Sequence, residues 1–125
     1  MSEMVVRDEQ PGDAAVIRAV TLAAFETMPF SQQTEAAIVD ALRAADALSL
    51  SLVAVEDGEV IGHVAFSPIT IDGAAAAGWF GVGPVSVRPD RQGRRIGTAL
   101  MRTGLDRLRA AGAEGFVLVG DPTYY

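Results

Sequence analysis

Val82-Gly83-Pro84-Val85-Ser86-Val87-Arg88-Pro89-Asp90-Arg91-Gln92-Gly93-Arg94-Arg95-Ile96-Gly97-Thr98-Ala99-Leu100 reads in three steps. The run ending at Val87 is a strand, the arginine- and glycine-rich turn after it is tight, and a helix opens at Ile96. A turn of this kind aims backbone N–H groups and the positive end of a helix dipole at one point, which is how proteins hold phosphate. Gly93 and Gly97 let an anion approach the backbone closely, the N–H groups from Gly93 to Thr98 converge on it, and Thr98 adds a hydroxyl. Arg88, Arg91, Arg94 and Arg95 add formal charge. The stretch points to a pyrophosphate-bearing cofactor. It is not a dinucleotide fingerprint, which needs G-x-G-x-x-G and a later acidic residue on the ribose. On charge alone, a solvated arginine-rich helix face is the plainer alternative.

Outward from this stretch, Trp79 to Val87 is predicted to be a strand interrupted by Gly83-Pro84. Proline cannot donate to a central ladder, so the strand should bulge or splay there. From Ile96 the side chains Leu100, Leu108 and Ala111 repeat on one side, with Arg102, Asp106 and Arg109 on the other, and Gly112 closes the helix. Phe116 to Val119 is a wholly apolar run of the type buried in parallel sheets, so strand, helix and strand make a crossover unit.

Towards the N-terminus, Val5 to Arg7 is a short strand and Asp13 is the N-cap of a helix that runs to about Glu26, with Val16, Ile17, Val20, Ala23 and Ala24 at helical spacing. Met28-Pro29-Phe30-Ser31 breaks it, and Ser31 caps a second helix whose apolar face is Ile38, Ala41, Leu42 and Ala45. Leu48 to Glu56 and Val60 to Ile71 form a hairpin through Asp57-Gly58, and Asp72-Gly73 ends the second strand. Ala74 to Gly78 reads as low-complexity loop. The fold class is therefore α/β (α+β): a mixed sheet, antiparallel at first and parallel at the crossover, with helices on both faces.

The 125 residues make one domain, with no internal repeat or linker. The net charge is −6, yet residues 88–109 carry seven Arg and two Asp, a net of +5. A cationic island on an acidic body suits an anionic cofactor beside a cationic substrate such as an amine, and does not suit nucleic acid. All ten basic residues are Arg, which excludes Schiff-base chemistry and a P-loop lysine. With no Cys there is no thiol nucleophile, disulfide or thiolate metal site, and no metal is expected. No apolar stretch reaches membrane-spanning length and no signal pattern opens the chain, so the expected location is the cytoplasm.

The pattern Val85-Ser86-Val87-x-Pro89-x-x-Gln92-Gly93-x-x-Ile96-Gly97-x-x-Leu100 resembles the acetyl-CoA loop of the GNAT superfamily of N-acetyltransferases. The resemblance covers most of the chain from Val5 and is specific from Gly83 to Tyr125. It implies acetyl-CoA as cofactor, its pyrophosphate held by Arg91, Gln92, Gly93, Arg94, Arg95, Ile96, Gly97 and Thr98. Its pantetheine arm would pair with free backbone groups of the bulged strand at Val85, Ser86 and Val87. Arg95 departs from the family's Q-x-x-G-x-G, which has glycine there.

The resemblance also implies the reaction, direct attack of a primary amine on the thioester. Gly120 to Tyr125 look like the start of the family's next motif, in which Tyr125 would protonate the departing thiolate. Family members continue with a further helix and two strands. On that basis the domain is expected to be truncated at its C-terminal end, with an open sheet edge that implies either a homodimer or a poorly soluble fragment. Glu26, Glu35 and Asp72 are candidate bases, of which Glu35 is chosen, and each is equally a surface charge. His63 reads as a hydrogen-bonded strand histidine in preference to a base. The acceptor stays open among small amines, polyamines, antibiotics, peptide N-termini and protein lysines. A non-catalytic fragment that binds coenzyme A or another protein is the alternative function.

Overall fold

A computed structural model describes residues 4–26, 35–71 and 74–118. The elements are β1 (Met4–Asp8), α1 (Ala14–Phe25), α2 (Glu35–Ala44), β2 (Leu50–Glu56), β3 (Glu59–Ile71), β4 (Ala74–Val87), α3 (Ile96–Ala110) and β5 (Gly115–Leu118), with one 3-10 turn at Pro89–Arg91. The strands form a single sheet in the order β1-β2-β3-β4-β5. The first three pairings are antiparallel and β4 runs parallel to β5. This is the mixed sheet that the sequence predicts.

Strand alternation sends side chains to two cores. Leu52, Ala54, Ile61, Val64, Phe66 and Val82 pack with Ile96 and Leu100 of α3 on one face. Val53 and Val60 pack with Ile17 and Val20 of α1 and Val39 of α2 on the other. Each fully buried aliphatic or aromatic side chain contributes about 1.5–3 kcal/mol, so both helix layers are held to the sheet by apolar burial. On the α3 face the approach is close: a Cβ on Gly104 would lie 2.2 Å from Phe66 Cε2. Only glycine fits there.

The hairpin at Asp57-Gly58 has φ 53° and 78°, the left-handed pair that a two-residue turn requires. Gly83-Pro84, joined by a cis peptide bond, makes the expected bulge: Val85 pairs with Val64 and Val82 with Phe66, leaving two residues on β4 opposite Ala65.

Several expectations are corrected. Ala74 to Gly78 is not loop but the beginning of β4, since Ala74 and Ala75 pair with Ile71 and Thr70. Ladder pairing outweighs alanine's weak strand preference. On α2 the buried residues are Ala36 and Val39, whereas Ile38, Ala41 and Ala45 are exposed. The helix is rotated because Val39 seats against Ile17, Val20 and Val53. Asp13 occupies the N-cap position without capping, and its Oδ2 instead accepts from the Gln10 N–H and from Arg7, both at 2.8 Å. On α3 the buried row is Ile96, Leu100 and Gly104, and Ala111 is an exposed cap followed by Gly112 at φ 102°. Val117 is 45% exposed, so β5 is not buried throughout. The Ser31 cap and Asp72-Gly73 lie outside the described residues.

Candidate functional site

The end of β4, the turn after it and the start of α3 enclose a cleft of about 380 Å³ that is closed on its far side by Ala24 and Phe25 of α1. Val85 and Val87 point into it. The side chain of Ser86, between them, turns to the other face and lies 3.3 Å from Thr21 Oγ1.

Backbone alternation supplies free polar groups in the same place. The Arg88 N–H donates to Ile61 O at 2.8 Å, so the ladder-bonded positions of β4 are Arg88 and Ser86. Val85 and Val87 therefore direct their N–H and C=O groups away from β3. On that side, among the described residues, β4 pairs with β5 only as far as Val82. The Val87 carbonyl accepts from the Gln92 amide at 3.1 Å, which ties the turn to the strand end.

At the helix start, the Ala99 N–H donates to Arg95 O. The N–H groups of Ile96, Gly97 and Thr98 precede the first intrahelical bond and are the donors that a helix leaves over. All three residues line the cleft, as do Gln92, Gly93 and Arg95. Gly93 has φ 83° with open space where a Cβ would be. Arg95 sits in the left-handed region at φ 61°, ψ 24°, which turns the chain into α3. It takes up the strain that glycine would avoid.

The arginines do not act alike. Glu56, a side chain only 4% exposed at the end of β2, receives Arg91 Nε at 2.9 Å and Arg94 at 2.8 Å. Arg94 chiefly, and Arg91 with it, hold the Glu56 carboxyl below its ordinary range. Arg88 pairs with Asp90 at 2.7 Å and Glu59 at 3.2 Å, and those two carboxylates raise its pKa. Among the described residues Arg95 has no ion-pair partner, and it lines the cleft, whereas Arg94 does not. Arg91 borders the cleft with its guanidinium committed to Glu56 and Asp90. The turn is thus a scaffold neutralised from within, and Arg95 carries the uncompensated charge.

Of the predicted catalytic residues, Tyr125 and Asp72 lie outside the described residues. Glu35 stands in the first turn of α2, half-buried and not among the residues lining the cleft. Glu26 is exposed just past α1. His63, in contrast, is fully buried on β3 directly opposite Ser86. Its Nε2 lies 2.8 Å from Ser51 Oγ, and Ser51 donates to Glu9 Oε1 at 2.8 Å. Glu9 also pairs with Arg43. Burial pushes the His63 pKa down to about 4. Sequence reasoning missed Ser51 and Glu9. The available signal for Ser51 was one polar residue in the apolar part of each of three adjacent strands, 51 on β2, 63 on β3 and 86 on β4, which strand pairing places on one face.

Among the described residues no helix is long and apolar enough to cross a membrane, and no three His, Cys, Asp or Glu residues are grouped as a metal site.

Comparison with known proteins agrees with this geometry. The profile of the acetyltransferase (GNAT) family matches residues 17–123. An uncharacterized N-acetyltransferase of Escherichia coli K12, YhbS, is 38% identical over 123 residues, which is 98% of this chain and 70% of that protein. A GNAT family acetyltransferase from Brucella melitensis, solved in complex with acetyl-CoA, superposes with a TM-score of 0.92 at 61% identity over 98% of this chain and 79% of that one. The structure of the Escherichia coli YhbS protein in complex with CoA superposes with a TM-score of 0.85 at 36% identity, over 100% of this chain and 67% of that one.

Proposed function

The chain belongs to the acetyltransferase (GNAT) family, and on that premise we propose that it moves an acetyl group from acetyl-CoA to a primary amine by direct attack. The observation that carries this reading is the convergence of the free N–H groups of Ile96, Gly97 and Thr98 with the backbone of Val85 and Val87, which takes no part in the β3 ladder, on one cleft. The complexes of the two relatives with acetyl-CoA and CoA support it.

The residues present fit the cofactor. Gly93 offers an open approach, the first turn of α3 offers N–H donors for a pyrophosphate, and Arg95 offers a charge-assisted contact. When bound, acetyl-CoA supplies an activated thioester. The backbone of Val85 and Val87 holds the pantetheine arm, and an N–H there stabilises the carbonyl oxygen as it gains charge. Ser86 contributes its backbone position only, since its hydroxyl is turned to α1. Tyr125 is the acid for the departing thiolate, and Glu35 is the carboxylate that the sequence offers as base. The acidic body around the arginine island favours a cationic acceptor, a small-molecule or peptide amine.

Titration calorimetry with coenzyme A, and thiol release from acetyl-CoA over a panel of amines, test the reading. Gly97→Glu is the decisive variant. A Cβ at Gly97 meets Val85 Cγ1 at 3.7 Å and Val87 Cγ2 at 3.8 Å, ordinary contacts, so the fold survives while a carboxylate enters the anion site. Coenzyme A affinity should fall by about a hundredfold or more. An unchanged affinity would place the cofactor elsewhere.

A further inference from the structure

We propose that Arg102 receives the 3′-phosphate of coenzyme A, in a hollow along α3 that continues the cofactor cleft, so that the protein distinguishes coenzyme A from its 3′-dephospho form. The proposal rests on the acetyl-CoA reading above.

A second cavity of about 380 Å³ lies along the outer side of α3. Thr98 and Met101 line both this hollow and the cleft, so the two form one continuous surface. The larger cavity between α1 and the turn after β2, about 780 Å³, shares no lining residue with the cleft. A ligand anchored on the first turn of α3 therefore has a way out along the helix.

Helix periodicity arranges what it meets there. Arg102 stands one turn beyond Thr98 on the same face, about 6 Å further along the axis. Met101 and Leu105, four residues apart, make a second row beside it. Both are half-buried, packed below against the core of the α3 face, and leave an apolar floor between the charged side chains. An apolar floor next to a free cation suits a nucleoside that carries a phosphate.

Charge pairing singles out Arg102 among the arginines of α3. Arg107 pairs with Asp8. Arg109 approaches Asp106 at 4.0 Å and lies over the Phe116 ring, 5.8 Å from its centroid. Asp106 also lines the hollow, and its carboxylate is the one opposing charge there. Arg102 is exposed and, among the described residues, is in no ion pair.

Two arginines without an ion-pair partner thus border one surface, Arg95 in the cleft and Arg102 in the hollow, with Thr98 between them in sequence and shared by both cavities. Coenzyme A has two separate anionic groups, the pyrophosphate and the ribose 3′-phosphate, joined through one nucleoside. With the pyrophosphate on the N–H groups of Ile96, Gly97 and Thr98, the second anion meets the second arginine.

Titration calorimetry with coenzyme A and with 3′-dephospho-coenzyme A tests this on the whole chain. Arg102 is exposed to solvent, which screens the contact, so coenzyme A should bind about tenfold more tightly at low ionic strength, with the ratio shrinking as salt is added. Arg102→Gln keeps a good helix former on an exposed position, so the fold is retained. It should bring the ratio of the two affinities close to one and leave binding of the dephospho form unchanged. Asp106→Asn, which removes the opposing carboxylate, should widen the ratio. Arg95→Ala should weaken both ligands by the same factor, because both carry the pyrophosphate. Equal affinities in the wild-type protein, or a ratio that Arg102→Gln leaves intact, would overturn the assignment of Arg102 while the cofactor site stands. A wild-type protein that binds neither ligand defeats the acetyl-CoA reading itself, and this role with it.

Discussion

Arg95 carries two opposing effects, and substitution separates them. Its φ of 61° and ψ of 24° are left-handed, where a Cβ costs about 1 kcal/mol relative to glycine. Arg95→Gly removes that cost and also removes the unpaired guanidinium from the cleft. Arg95→Ala removes the guanidinium but keeps the Cβ. The stability difference between the two variants therefore isolates the strain, and glycine should be the more stable by about 1 kcal/mol. For a chain of this length the entropy of unfolding is about 0.26 kcal/mol per kelvin, so the gap is about 4 °C in Tm. Coenzyme A affinity should move the other way. A charge-assisted contact contributes about 1.5–3 kcal/mol, so both variants should bind about tenfold to a hundredfold more weakly than the wild-type protein. Arg94→Gln is the contrast, because Arg94 is spent on Glu56 outside the cleft lining and its loss should change affinity much less. Scanning calorimetry and titration calorimetry read the two quantities separately. Equal Tm values for the glycine and alanine variants would refute the strain argument, and unweakened binding in both would refute the role of the charge.

Gly104→Ala should destabilise the protein although alanine is the better helix former. A helix interior gains about 1 kcal/mol from the change, but the new Cβ would lie 2.2 Å from Phe66 Cε2, and Phe66 is fully buried with Phe116 edge-on at 6.5 Å. A net loss of about 2 kcal/mol is expected in urea melts, and a gain would show that Phe66 re-seats freely. Stability should also fall as pH is lowered from 6.5 to 4. The unfolded chain protonates His63 near its ordinary 6.5 whereas the folded chain holds out to about 4, so the unfolded state binds more protons in that window and folding loses about 3 kcal/mol across it. Below about 4.5 the depressed carboxylates of Asp8, Glu9 and Asp13 add losses of their own as they protonate. Urea melts at successive pH values check this, and a flat profile between 6.5 and 4.5 contradicts it.

The turn between β4 and α3 was legible because its signals are local. Glycine at 93 and 97, a strand before and a helix after are all properties of neighbouring residues, and the backbone geometry follows from them. The Asp57-Gly58 hairpin and the Gly83-Pro84 bulge were legible for the same reason: glycine takes a positive φ without steric cost, and proline has a fixed φ and no N–H to give, so each marks its turn or break one residue at a time. What the tertiary structure decided are matters of partnership. Ala74 and Ala75 are strand because β3 offers them a ladder, and α2 turns Ala36 and Val39 inward because Val53 and Ile17 wait there. Three of the four arginines nearest the turn are neutralised by Glu56, Glu59 and Asp90, two of them remote in sequence, which leaves Arg95 with the uncompensated charge on the cleft. His63 changed most. From sequence it is a polar residue on a strand, and only the meeting of β2 with β3 beside Glu9 decides which ring nitrogen carries the hydrogen. Local backbone preference acts over a few residues and is written in them; burial and charge pairing act through space, and exist only once distant segments have met.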